Sequence, residues 1–153
     1  MLNFLQSDWM MLPLQAILGF MATLGFAILY NVPRRALWAC ALIGMGGHLL
    51  RQALQRMDVP DDIATFVGAL FVGIVGVIPA KRLQLPLILF AIAGIVPLIP
   101  GIPAYKVIVY FRQQDILGGL SSAIEAVFRV GAIATGIGTA RILTDREWWF
   151  ERE

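Results

Sequence analysis

The stretch IVPLIPGIPAY, Ile95 to Tyr105, sets three prolines and a glycine inside some of the most apolar sequence of the chain. Proline removes an amide donor, and its ring clashes with the preceding helical turn, so Pro97, Pro100 and Pro103 together argue against one continuous helix from Leu85 to Phe111. A single proline would be a kink; three within seven residues, with Gly101 between them, predict a real break. What that break means depends on the solvent around it.

The composition identifies that solvent. With 59% hydrophobic and only 14% charged residues and a mean hydropathy of +0.78, a chain of 153 residues has too little polar surface to cover a water-soluble globule. The expectation is an all-α, polytopic membrane protein forming a single integral membrane domain over residues 1–153. A spanning helix needs ~20 mostly apolar residues. The chain offers such segments at about 11–30, 36–54, 63–80 and 117–143, and a shorter one at about 85–98 that the prolines end. Five crossings are predicted, the fourth broken.

Lys and Arg predict the orientation, because short cytoplasmic loops retain positive charge. With five spans, Arg34, Arg35, Lys81, Arg82, Arg141, Arg146 and Arg152 collect on one side. Arg51, Arg56, Lys106 and Arg112 lie on the other, sharing their loops with Asp58, Asp61, Asp62 and Asp115. The N-terminus is expected outside and the C-terminus in the cytoplasm of a bacterial inner membrane. The first apolar segment is too long for a signal-peptide core and lacks a small-residue cleavage site, so it reads as a retained helix.

Other functional classes find no support. No phosphate-cradling loop, Cys/His metal spacing or nucleophile motif is present, and no basic run points to nucleic acid. Neither a cofactor nor a metal is expected, nor an enzyme. The lone Cys40 reads as a small buried apolar residue.

Polar residues inside spans are costly and usually face a partner or a water-filled cavity. His48 and Arg51, three apart in GMGGHLLR, share a helical face. They read either as a proton-sensitive or anion-binding pair or as a cap near the outer interface, with Arg51 snorkelling. Glu125 and Arg129, four apart, form either a self-contained ion pair or one that a substrate or coupling proton competes for. Around them, Gly131, Thr135 and Thr139, with Gly136 and Ala140 beside them, predict close helix packing, as do Ala69 and Gly73.

In this setting the proline stretch has two readings. Irregular backbone at membrane depth persists only where protein buries it or water reaches it, and interrupted helices of this kind form binding sites in transporters. Alternatively, Pro100 starts an outer loop, and Ala104 to Phe111 is an interfacial helix with Tyr105 and Tyr110 in the aromatic belt.

The combination of GFAILYNVPRRAL (Gly25 to Leu37), GGHLLR (Gly46 to Arg51), ATFVGALFVG (Ala64 to Gly73) and IVPLIPGIPAY resembles the threonine/serine exporter family, specifically its small membrane subunit. The likeness implies a partner, a larger exporter subunit with a cytoplasmic N-terminal domain and its own membrane helices. It implies export of threonine and serine or, for some split pairs, of succinate. It points to Asn31, Pro33, His48, Arg51, Thr65, Pro97, Pro100, Gly101 and Tyr105 as family positions. No family motif covers Glu125 or Arg129, which rest on the physical argument alone.

Together these observations predict the membrane subunit of a secondary exporter of hydroxyl amino acids or a C4-dicarboxylate. Asn31, Arg51, Thr65, Pro97, Pro100, Gly101, Tyr105 and Arg129 are the candidate substrate contacts, and His48 and Glu125 the candidate proton carriers. The pathway is expected to form with the partner or between copies of the chain. The competing expectation is a structural subunit that anchors a partner transporting alone.

Overall fold

The computed structural model describes residues 11–144 and contains six α-helices among them: α1 (Leu12–Leu29), α2 (Arg34–Arg56), α3 (Asp61–Leu83), α4 (Leu87–Ile95), α5 (Gly101–Arg112) and α6 (Ile116–Thr144). The all-α class is as the sequence predicts. Three helices, α1, α3 and α6, are long and apolar enough to cross a membrane, and the bent segment from α4 through α5 makes a fourth if counted as one span. The predicted count of five is therefore not reached. The helix that falls short is α2, which is long enough but carries Arg34, Arg35, Arg51 and Arg56.

The turns follow a shared chemistry. Asn31-Val32-Pro33, Asp58-Val59-Pro60 and Gln84-Leu85-Pro86 each place a polar residue in the left-handed region, at φ 56°, 59° and 52°, just past a helix end. The apolar residue that follows donates its amide back to the helix, Val32 to Ala27, Val59 to Leu54 and Leu85 to Ala80, the six-to-one bond of a Schellman motif. The proline then sits as the cap of the next helix, where its missing N–H loses nothing. These tight reversals make α1 to α4 an up-and-down bundle.

Glycines decide how closely the bundle closes. A Cβ on Gly44 would overlap the side chain of Thr23, one on Gly19 would meet His48 at 3.3 Å, and one on Gly68 would come to 3.0 Å of the Gly47 carbonyl. Cys40, Ile43, Val72 and Phe90 form the apolar core below. Cys40 is buried there, as its reading as an apolar residue requires.

The proline segment is broken. Helix α4 ends at Ile95, Val96–Leu98 form a 3-10 turn, and α5 leaves at 51°. In an unbroken helix Pro97, Pro100 and Pro103 would leave the carbonyls of Ala93, Val96 and Ile99 without donors. Each carbonyl is taken instead by a tighter turn, accepting from the amides of Val96, Ile99 and Gly101 respectively. The last closes an inverse γ-turn at Pro100, with φ −77° and ψ 64°. Leu98 is fully buried against the sites of Gly47 and Gly68 and Pro100 is buried too, while Ile99, Gly101 and Ile102 are exposed, so protein covers one side of the break.

Helix α6 runs parallel to α3, pairing Asp61 with Arg129, Ala69 with Gly136 and Gly73 with Ala140. The predicted small-residue stripe thus splits. Gly136 and Ala140 make the contact, whereas Gly131 has no neighbour within 4 Å and Thr135 is exposed, because they lie around the helix from the α3 seam. This topology gathers Arg34, Arg35, Lys81, Arg82 and Arg141 at one end of the bundle. Arg146 and Arg152, which the orientation also uses, lie outside the described residues.

Candidate functional site

The far end of α2, the start of α3 and the middle of α6 converge on four charges. The close α2–α3 crossing at Gly47 and Gly68 brings Arg51 beside the first turns of α3, where it is only 8% exposed. Asp61, in the first turn of α3, accepts from Gln55 Nε2 on one oxygen at 2.6 Å and from Arg129 on the other. The same nitrogen of Arg129, Nη2, also donates to Glu125. Arg129 is nearly buried, with 11% of its side chain exposed, whereas Asp61 and Glu125 are 43% and 44% exposed. The two carboxylates face an open side of the site.

The charges are balanced in number but not in arrangement. Arg129 is shared by two carboxylates, while Arg51 forms no ion pair with a described residue and lies within electrostatic reach of Asp61 and of the like-charged Arg129. The Nε atoms of both arginines and Nδ1 of His48 are buried without a hydrogen-bond partner among the described residues. A buried donor left unpaired costs ~1–3 kcal/mol, more for a charged group. Arg51 is thus a nearly buried cation with no ion-pair partner among the described residues.

His48 lies between two elements. Its ring packs on Gly19 of α1, and it interacts with the backbone carbonyl of Pro97, which the break leaves without a helical donor. Thr65, fully buried one turn beyond Asp61, returns its hydroxyl to the Asp61 carbonyl at 2.6 Å, so its own donor is engaged within α3.

The remaining predicted residues stand apart. Asn31 lies at the other end of the bundle, ~25 Å along α2 from Arg51 at 1.5 Å per residue, and serves as a left-handed helix cap. Pro100 is buried and shapes the γ-turn; Gly101 is exposed with no neighbour within 4 Å, and Tyr105 is exposed on α5. Asp61 and Gln55 belong to the cluster although the sequence reading leaves them out. It starts the third span at Ile63 and assigns Asp61 to the loop; the helix starts at Asp61 itself, directly after Pro60, a helix-start signal legible in DVPDD.

A family described as Threonine/Serine exporter, ThrE, matches residues 15–143. The chain belongs to the threonine/serine exporter family. A relative from Haemophilus influenzae, described as an uncharacterized protein, is 34% identical over 131 residues, which are 80% of this chain and 44% of the relative. The chain therefore spans less than half the length of that relative. No solved structure matches it. As an exporter-family member with several long apolar helices, the chain is a multi-pass membrane protein, and the family is one of transporters rather than enzymes. The exporter-family match covers every residue of the charge cluster, Glu125 and Arg129 included.

Proposed function

We propose that the chain is the membrane unit of an exporter of small zwitterionic amino acids, threonine and serine, working with a larger companion unit in the bacterial inner membrane. The observation that carries the reading is the nearly buried Arg51, without an ion pair among the described residues, beside two half-exposed carboxylates that share one arginine. An amino acid fits that pattern. Its carboxylate suits the nearly buried Arg51, and its ammonium suits Asp61 or Glu125. A C4-dicarboxylate such as succinate needs two free cations, and Arg129 is already neutralised twice. His48, in contact with the Pro97 carbonyl, is the proton carrier, so that a charge change at α2 is felt at the broken segment. The N-terminus faces outside and the C-terminus the cytoplasm.

Vesicles holding the chain and its companion, loaded with labelled threonine, serine or succinate, test this. Threonine and serine efflux is expected, with Asp61→Asn and Glu125→Gln weakening it while leaving the protein inserted. Succinate efflux untouched by unlabelled threonine would overturn the zwitterion assignment.

A further inference from the structure

One end of the bundle carries a charge that no described residue balances. Helices α2 and α3 run antiparallel and cross closely at Gly47 and Gly68, and Gly47 to Arg34 and Gly68 to Lys81 are equal separations, ~20 Å along each helix at 1.5 Å per residue. Arg34, Arg35, Lys81 and Arg82 are therefore level with one another on neighbouring helices, around the buried Ala36 and Ala80 of a single apolar cluster. All four are exposed, and none forms an ion pair with a described residue. The described carboxylates, Asp58, Asp61, Asp62, Asp115 and Glu125, lie in the far half of the molecule.

Local helix chemistry accounts for only half of these charges. Lys81 and Arg82 close α3, where the negative end of the helix dipole favours cations, just as Asp61 and Asp62 open it at the positive end. Arg34 and Arg35 stand in the first turn of α2 with no acidic residue there and no side-chain cap, so the dipole opposes both. Their depth is that of a lipid headgroup. Asp61 to Lys81 covers ~30 Å of α3, the thickness of the hydrocarbon layer. At this same end Trp38, tilted on Phe20 at 5.8 Å, and Tyr30, beside Phe26 at 6.0 Å, are the exposed amphipathic rings of an interfacial belt.

We infer that this end of α2 and α3 is a binding surface for anionic phospholipid, whose headgroup phosphate neutralises the four cations. An exposed apolar strip runs inward beneath a cation on each helix, Trp38 and Leu42 at four-residue steps from Arg34, and Ile78 and Ile74 three and seven residues before Lys81. A phospholipid supplies both halves of that pattern, an anion for the cations and acyl chains for the strips. A soluble anion or an acidic protein segment supplies only the first. Lipid binding here requires neither a particular transported substrate nor a particular orientation of the chain.

Titrating the full-length protein in neutral detergent against a fluorescent phosphatidylglycerol, with the matching phosphatidylcholine for comparison, tests this through the anisotropy of the label. Phosphatidylglycerol should bind more tightly, and added salt should narrow the difference. Each Lys or Arg near an anionic surface contributes roughly a fivefold preference, so Arg34→Gln with Arg35→Gln, or Lys81→Gln with Arg82→Gln, should weaken phosphatidylglycerol binding roughly tenfold or more. Arg34→Lys with Arg35→Lys should retain it, which separates charge from local structure. Lys106→Gln with Arg112→Gln, exposed on α5, should leave it unchanged, and inorganic phosphate should not displace the labelled lipid. Equal binding of the two lipids by the wild-type protein, or unweakened binding by variants whose melting temperature is kept, would overturn the proposal. So would displacement by inorganic phosphate, or an equal loss in the α5 variant.

Discussion

Arg51→Met separates a functional arginine from a structural one. Arg51 is 8% exposed and makes no ion pair with a described residue, so the folded protein carries the desolvation penalty of a cation without the attraction that usually offsets it. Methionine occupies a similar unbranched volume, lies against Gly68 without charge and removes the repulsion from Arg129. Replacing a poorly paired buried charge by an apolar residue is neutral or stabilising by about 1–4 kcal/mol. The melting temperature of the purified protein in detergent should therefore stay level or rise, at roughly 2–4 °C per kcal/mol for a chain of this size. Transport should move the other way. Losing the buried charged partner of a substrate carboxylate costs about 2–5 kcal/mol, or ~30- to ~4000-fold in apparent affinity. The assay pairs thermal unfolding with efflux of labelled threonine from vesicles, and Arg51→Lys, which keeps the charge but loses the planar fork, should fall between. A melting temperature lowered by several degrees, or undiminished threonine efflux, would refute the reasoning.

Three further outcomes follow from the same geometry. Gly136→Ala should destabilise the α3–α6 contact by about 1–3 kcal/mol, because the new methyl would sit 2.7 Å from the backbone carbonyl of Phe66, while Gly138→Ala, with nothing within 4 Å, should be neutral or stabilise by up to ~1 kcal/mol; thermal unfolding compares them. Asn31→Gly should leave stability unchanged and Asn31→Val should cost about 1–2 kcal/mol, since position 31 holds a left-handed cap, and threonine efflux per folded molecule should be the same in both. His48→Ala, measured as efflux at several pH values between about 5 and 8, should give a protein that inserts and assembles but exports without the wild-type pH response; an unchanged response would remove the proton role.

The break at the prolines, the broad extents of the apolar segments and the membrane setting were legible in the residues alone, for a local reason. Pro97, Pro100 and Pro103 delete particular donors whatever surrounds them, and long apolar runs have no alternative solvent. The pairing of Glu125 with Arg129 was legible too, because four-residue spacing on a helix is a local rule. Asn31, by contrast, takes the conformation of a helix cap, and its position lies far from the charges.

Contacts between helices decided the rest. That Asp61 reaches Arg129, that Arg51 thereby forms no ion pair with a described residue, and that Gly136 and Ala140 of the small-residue stripe touch α3 all depend on the register of α3 against α6. No spacing within one helix encodes that register. It emerges from where Gly73 and Gly136 let separate backbones approach, and so it belongs to the packed chain and not to any segment of it.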